Sequence, residues 1–254
     1  MTETFQAFTI ENANRPGRLV VTCDHASNHV PHAVLGGDLG VAPADMNRHI
    51  AYDVGAAGVT RHLADALDAP AILSRFSRLV IDPNRGEDDP TLIMALYDGT
   101  IIPANRAPSA EDIAWRLNHC YRPYHNALDD LLAQRSDPVL VAIHSFTPQL
   151  AGRPKRPWHI GILHENDMRL AVPLLERLRT EPDLCVGENE PYGGHLKGDS
   201  VDRHAIRWNR PNVLIEIRND LIRTEDQQRG WANRLAPMIL SLSAEIPTKE
   251  LAHG

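Results

Sequence analysis

Two apolar runs, one ending in Asp-His and the other in a histidine, constrain this fold more than anything else in the chain. Val20-Val21-Thr22-Cys23 leads into Asp24-His25-Ala26-Ser27-Asn28-His29, and Val139-Leu140-Val141-Ala142-Ile143 leads into His144-Ser145-Phe146. Such runs alternate with longer amphipathic segments, the pattern of a mostly parallel sheet covered on both faces. Strands are expected at 18–24, 71–75, 78–82, 138–144, 159–164 and 212–218, with a weaker one near 184–187. Helices are expected at about 44–67, 109–136, 167–180 and 225–245, the second opening on Ser109 as N-cap with Glu111 and Asp112 in its first turn. Polar stretches at 83–90 and 149–158 read as loops, the second a candidate lid.

At 254 residues the chain has the length of one large α/β domain, taken as residues 1–254. A net charge of -7 excludes a general phosphate-binding surface, which needs concentrated Lys and Arg. No nucleic-acid partner is expected, and an anionic ligand has to be met by local arginines. Met1-Thr2-Glu3-Thr4-Phe5 has neither a basic nor an apolar leader, and no run reaches the roughly 18 apolar residues of a membrane span. A cytoplasmic location without a membrane partner is expected; oligomeric state is not readable. Cys23, Cys120 and Cys185 are an odd number at unrelated spacings, which fits neither a disulfide framework nor a thiolate metal site. Reduced core thiols are expected.

Ligands of an open α/β sheet bind outside the carboxyl ends of its strands, where His25 and His144 both fall. Two imidazoles at the same end of one sheet can supply two corners of a metal site, and a catalytic zinc site commonly takes three protein ligands. The third is open among Asp53, Asp24 and Asn28, with Asp53 favoured on a helix one turn after His49. Asp24 should point to the opposite face from its neighbour, and an asparagine amide is a poor zinc ligand. His and carboxylate donors suit zinc and other divalent ions alike.

Asn212-Val213-Leu214-Ile215-Glu216-Ile217-Arg218 sets two charges inside an apolar strand, with Glu216 and Arg218 on one face. On an edge strand these are solvated. On an interior strand Glu216 must be paired or functional, and beside an activated water it can serve as general base. Ser77-Arg78-Leu79-Val80-Ile81-Asp82-Pro83-Asn84-Arg85 adds a cationic cluster suited to gripping a carboxylate, with Asp82 orienting Arg85 or capping the turn.

Thr22 to Pro31, Arg78 to Arg85, Ile143 to Pro148, Ile215 to Leu221, Gly187 to Tyr192 and Asp202-Arg203-His204 together resemble the N-formylglutamate amidohydrolase family over nearly the whole chain. That family is distantly similar to zinc carboxypeptidases and aspartoacylases, whose sites run His-x-x-Glu, Arg, Asn-Arg, His and a late Glu. The resemblance implies a three-layer αβα sandwich around a mostly parallel or mixed sheet. It also implies hydrolysis of a small anionic N-acyl amino acid, N-formyl-L-glutamate foremost, to the amino acid and formate.

In that scheme His25, His144 and Asp53 hold Zn²⁺ or another divalent ion. Glu216 moves the proton, Arg78 stabilises the oxyanion, and Asn84 and Arg85 grip the amino-acid carboxylate. Arg218 binds a second carboxylate or pairs with Glu216, and Tyr192 and His204 line the pocket. Asn28 departs from the distant relatives' glutamate. Three rival readings stay open: a deacylase or carboxypeptidase-like hydrolase of another small N-acyl amino acid or peptide, a non-catalytic binding protein, and a cysteine hydrolase using Cys23.

Overall fold

The computed structural model describes residues 5–194 and 196–248; residues 1–4, read above for a leader, lie outside the described residues. The strands are β1 (Phe8–Glu11), β2 (Leu19–Cys23), β3 (Ala71–Ser74), β4 (Leu96–Tyr97), β5 (Thr100–Ile101), β6 (Val139–Phe146), β7 (Ile160–Leu163), β8 (Val186–Glu188) and β9 (Asn212–Arg218). Seven form one sheet in the order β1-β3-β2-β6-β9-β7-β8, and β4 with β5 makes a separate hairpin. The central β3, β2, β6 and β9 run parallel, while β1 and β7 oppose their inner neighbours, so the sheet is mixed.

The helices are α1 (Pro43–Met46), α2 (Ala56–Ala66), α3 (Ala110–Arg116), α4 (Arg122–Ala133), α5 (Ala171–Arg179), α6 (Ser200–His204) and α7 (Glu225–Glu245). Side chains of a strand alternate faces, so each central strand feeds two cores. Val21, Val141, Ile143, Val213 and Ile215 pack with α2, α5 and α7. Val20, Leu140, Ala142 and Leu214 pack with Tyr121, Tyr124 and Leu128 of the α4 side. The result is the expected three-layer arrangement.

Several elements differ from the sequence reading, each for a local reason. Residues 78–82 are not a strand: Ser77 Oγ accepts from Leu79 N, and the carbonyls of Leu79 and Val80 accept from Asn105 and Arg116 side chains. Their apolar character reflects burial at 0% exposure for Leu79, Val80 and Ile81, without strand partners. The helix expected over 44–67 survives only as α1 and α2. Between them Ala51 O accepts from Ser77 Oγ and Arg78 N, and Asp53 N donates to His25 O, so tertiary bonds displace helical ones. Gly55, at φ 83°, starts α2 in a left-handed conformation suited to glycine.

The helix expected over 109–136 opens on Ser109 as read, its side chain accepting from Asp112 N. It then widens into a π turn at Leu117–Tyr121 before α4. Pro123, which lacks an amide hydrogen, follows that turn. The strand β1 and the β4–β5 hairpin had no counterpart in the sequence reading. Cys185 is exposed, contrary to the expectation of three core thiols, while Cys23 and Cys120 are buried. Among the described residues no helix is long and apolar enough to cross a membrane.

Gly161 of β7 lies opposite Glu216 in register. A Cβ there would come within 1.9 Å of Glu190 O. Gly161→Ala is therefore expected to displace the 189–194 segment and to lower the melting temperature by several degrees, by about 1–3 kcal/mol of overpacking. Thermal denaturation checks this; an unshifted melting curve would mean that the segment yields freely.

Candidate active site

The site sits where β2, β6 and β9 end. β2 delivers Asp24 and His25 just past its last residue, β6 carries His144 on the same face as Ala142, and β9 carries Glu216 beside it. His144 and Glu216 are partners in the parallel register. β9 is an interior strand, so Glu216 is buried rather than solvated. The third contributor is Asp53, from the loop before α2 and not from a helix. Its backbone is tied to His25 O, and its Oδ2 also accepts from Ser145 N at 3.1 Å.

Asp53 Oδ2 lies 3.3 Å from His25 Nδ1 and 2.9 Å from His144 Nδ1. One donor atom from each of the three residues falls within 4.8 Å of the others, and all three side chains are buried. Two ligands about 2.0–2.1 Å from one tetrahedral zinc stand about 3.3 Å apart, so this spacing suits a small divalent ion. A second observation agrees: His25 Nδ1 is buried with no hydrogen-bond partner.

Each ring is backed by a carboxylate on its far nitrogen. His25 Nε2 donates to Asp82 Oδ1 at 2.7 Å, and His144 Nε2 lies 3.3 Å from Asp24 Oδ2, a charge contact without good hydrogen-bond alignment. Carboxylates behind metal-binding histidines fix the ring and leave the other nitrogen as the donor. Asp82 is in turn held by the Arg78 guanidinium at 2.7 and 3.1 Å and by Asn84 N at 2.9 Å. Its turn-capping role was legible in the sequence, and its bond to His25 was not.

The electrostatics follow from this crowding of acids. Burial alone would lower the His144 pKa, yet Asp24 and Asp53 raise it well above its ordinary value. Burial likewise opposes ionisation of Asp24, but His144, His25 and Tyr124 bring its carboxyl down to about 2. Asp53 is also held well below the carboxylate range despite its burial, by His25 and His144. Asp24 and Asp53 thus face His144 at its two ring nitrogens. Glu216 behaves oppositely: burial first, and Asp53 among its neighbours, push its carboxyl up to about 7. Its Oε2 has no hydrogen-bond partner among the described residues. Cys23 is buried in the apolar core with α2, α5 and α7 and does not line the cavity, and burial, with Asp53 and Asp24 nearby, raises its thiol well above the usual value, an environment unlike that of a reactive cysteine.

A cavity of about 550 Å³ opens over this cluster. Its floor is His25, Asp53, His144 and Glu216, and its sides include Arg78, Asn84, Arg85, Tyr97, Phe146, Leu163 and the 191–194 segment. Arg78 reaches Asp53 Oδ1 at 3.5 Å and stacks over Tyr97 at 5.3 Å from the ring centre. Asn84 Oδ1 accepts from Ser200 N, and its amide NH₂ donates to no other group among the described residues.

Other expectations are corrected. Arg218 does not line the cavity and does not pair with Glu216; its guanidinium is held by Asp220 and the carbonyls of Pro157 and Trp158. At the end of β9 these acceptors draw it off the face that Glu216 shares. Asn28 is tied to Met46 O and Asn47 and is not part of the cluster. Tyr192 lines the cavity as read, whereas His204 is buried against His125 and Asp129. His49 and Tyr97, which also line it, gave no recognisable signal beyond an unexplained His one turn before Asp53.

A buried His–Asp–His cluster facing an interior glutamate, on the carboxyl ends of a mixed α/β sheet, is the layout of a small-molecule hydrolase. The chain belongs to the N-formylglutamate amidohydrolase family, whose sequence model matches residues 17–223. It is 28% identical over 207 residues to an N-formylglutamate deformylase of Pseudomonas putida, covering 73% of each chain. It is 26% identical to an N-formylglutamate deformylase of Pseudomonas aeruginosa, covering 93% of each. Among solved structures, a gene product of Agrobacterium tumefaciens matches with a TM-score of 0.88 and 35% identity, over 95% of this chain and 96% of that one. The N-formylglutamate amidohydrolase of Ralstonia eutropha shares the fold, with a TM-score of 0.68 and 22% identity over 95% and 98% of the two chains.

Proposed function

We propose that this chain hydrolyses the formyl amide of N-formyl-L-glutamate or a close N-formyl amino acid, using a divalent ion held by His25, Asp53 and His144. The observation that carries this reading is the clustering of those three donors within 4.8 Å of one another beside Glu216, whose Oε2 has no hydrogen-bond partner among the described residues, in a member of this family. Zinc suits two imidazoles and a carboxylate, and other divalent ions can share such a site. When bound, the ion supplies positive charge that acidifies a water molecule and polarises the formyl carbonyl.

The chain's own groups do the rest. Glu216 Oε2 accepts the proton from the attacking water and returns it to the amide nitrogen as the C–N bond breaks, giving formate and the free amino acid. Arg78, fixed by Asp82, presents its guanidinium to the oxygen on which negative charge develops, a contact worth about 2.7–4 kcal/mol in comparable sites. Asn84 NH₂ and Arg85 hold the amino-acid carboxylate at the cavity side. A substrate of this size suits a 550 Å³ cavity.

Purified protein is expected to release formate from N-formyl-L-glutamate, to lose that activity on treatment with a chelator, and to regain it with Zn²⁺. Acetate release from the N-acetyl analogue is expected to be slower. Formate release that survives complete removal of metal would overturn the metal-centred reading, and no formate from any N-formyl amino acid would overturn the substrate.

Arg85→Ala is expected to raise KM about 10- to 100-fold with kcat little changed, because a charged hydrogen bond is lost from the bound and transition states alike. Steady-state kinetics separate the two constants. A fall confined to kcat would move Arg85 from binding to chemistry.

A further inference from the structure

We propose that Tyr124 and Ser200 are positioning residues that set how tightly the His25, Asp53 and His144 cluster holds its divalent ion, acting through Asp24. The inference rests on the reading of that cluster as a metal centre. Asp24 is completely buried. Its Oδ2 faces His144 Nε2 at 3.3 Å, and its Oδ1 accepts from Tyr124 OH at 2.5 Å and from Ser200 Oγ at 3.1 Å. The two hydroxyls arrive from α4 and from the first residue of α6, well separated in sequence from the strand they support.

A carboxylate turns freely about its Cβ–Cγ bond unless its oxygens are held. Two donors on one oxygen fix the plane, and that keeps the other oxygen against the imidazole. The ring's orientation then decides where His144 Nδ1 points. The two histidines are supported unequally. Asp82, behind His25, is clamped by the Arg78 guanidinium and a backbone amide and makes a 2.7 Å bond to the ring. Asp24, behind His144, relies on two neutral hydroxyls and a longer contact. The His144 arm is thus the one whose backing carboxylate is held by neutral side-chain hydroxyls and, among the described residues, by no charged donor or backbone amide.

Ser200 has a second tie, because its backbone N donates to Asn84 Oδ1 at 3.2 Å. Substituting its side chain leaves that bond in place. An effect of Ser200→Ala on ion affinity therefore separates from an effect on the carboxylate grip.

The test is the Zn²⁺ dissociation constant of the full chain, measured by competition with a chromophoric chelator. Tyr124→Phe, which keeps the ring and removes one oxygen, is expected to weaken binding about 10- to 100-fold, the range for outer partners of metal ligands. Ser200→Ala is expected to weaken it by a smaller factor, with KM for substrate in the zinc-saturated enzyme within about twofold of the wild type. In an Asp24→Ala background, which removes the oxygen that accepts from both hydroxyls, both substitutions should shift the constant less than about twofold, since their route runs through that side chain.

General loosening of the fold would instead shift the constant equally in both backgrounds and would overturn the proposal, as would wild-type affinity in Tyr124→Phe. If Tyr124→Phe fails to fold, the Ser200→Ala cycle decides alone by the same criteria. A wild-type chain that takes up no Zn²⁺ overturns the metal reading together with this proposal. Tight wild-type binding with unmoved variants overturns this proposal only.

Discussion

Glu216→Gln is expected to cut kcat for formate release by about 10²–10⁴-fold while leaving ion content and melting temperature close to wild type. The substitution keeps the shape of the side chain and removes only its ability to take a proton. Glu216 lies on an interior strand, in register with His144 and opposite Gly161, so a glutamine there has the same neighbours. Its Oε2 makes no hydrogen bond that the change would break. Burial already works against the charged form, so a neutral amide adds no electrostatic penalty to the fold. Steady-state kinetics, metal analysis and thermal melting read the three quantities. A variant that keeps more than a tenth of the wild-type kcat would remove Glu216 from the reaction, and one that loses its ion would make it a ligand.

His144→Ala should act on a different quantity, weakening ion binding by more than about 100-fold, beyond the usual cost of losing an outer partner. Activity should fall in proportion at limiting metal. The fold should suffer too, because the ring contacts two buried acids, Asp24 and Asp53, and its loss leaves both without that neighbour. A buried polar group that loses its partner costs about 1–3 kcal/mol. Asp53→Asn is the gentler companion: it keeps the size of the side chain, weakens the ion site, and leaves less unbalanced charge. Dialysis followed by metal analysis tests both. Stoichiometric metal retained by both variants would place the ion elsewhere.

Much of this arrangement could be read from the chain before its structure. The runs that became β2 and β6 announced themselves by their apolar character, β9 by an apolar run around two charges, and α3 by Ser109 with acids in its first turn. His25 and His144 followed from where those runs stopped. Glu216 followed from the oddity of an acid inside an apolar strand, and the family resemblance supplied the order of the remaining groups. What stayed hidden depends on long-range bonds. The loop holding Asp53 looked helical because its side chains have helical spacing, but its carbonyls and amides are spent on His25, Ser77 and Arg78. Leu79, Val80 and Ile81 looked like a strand because burial selects the same residues whether or not a ladder forms. Asp24 should diverge from His25 on a strand, but β2 ends at Cys23, and past it Asp24 contacts His144 Nε2 while the His25 ring packs edge-on against the same histidine. No local pattern marks Tyr124 or Ser200 as partners of an acid 100 and 176 positions away.

The floor of the cavity and its outer side belong to different parts of the polypeptide. His25, Asp53, His144 and Glu216 stand on the sheet and the loop locked to it, whereas Tyr192, Gly193, Gly194 and Leu196 come from the connection between β8 and α6. Natural variation in that connection can retune which amino acid is welcomed without disturbing how the amide is cut. Divergence between paralogues should therefore concentrate there, bounded at its far end by Ser200. Transplanting the stretch between homologues is a direct route to new selectivity on an old reaction.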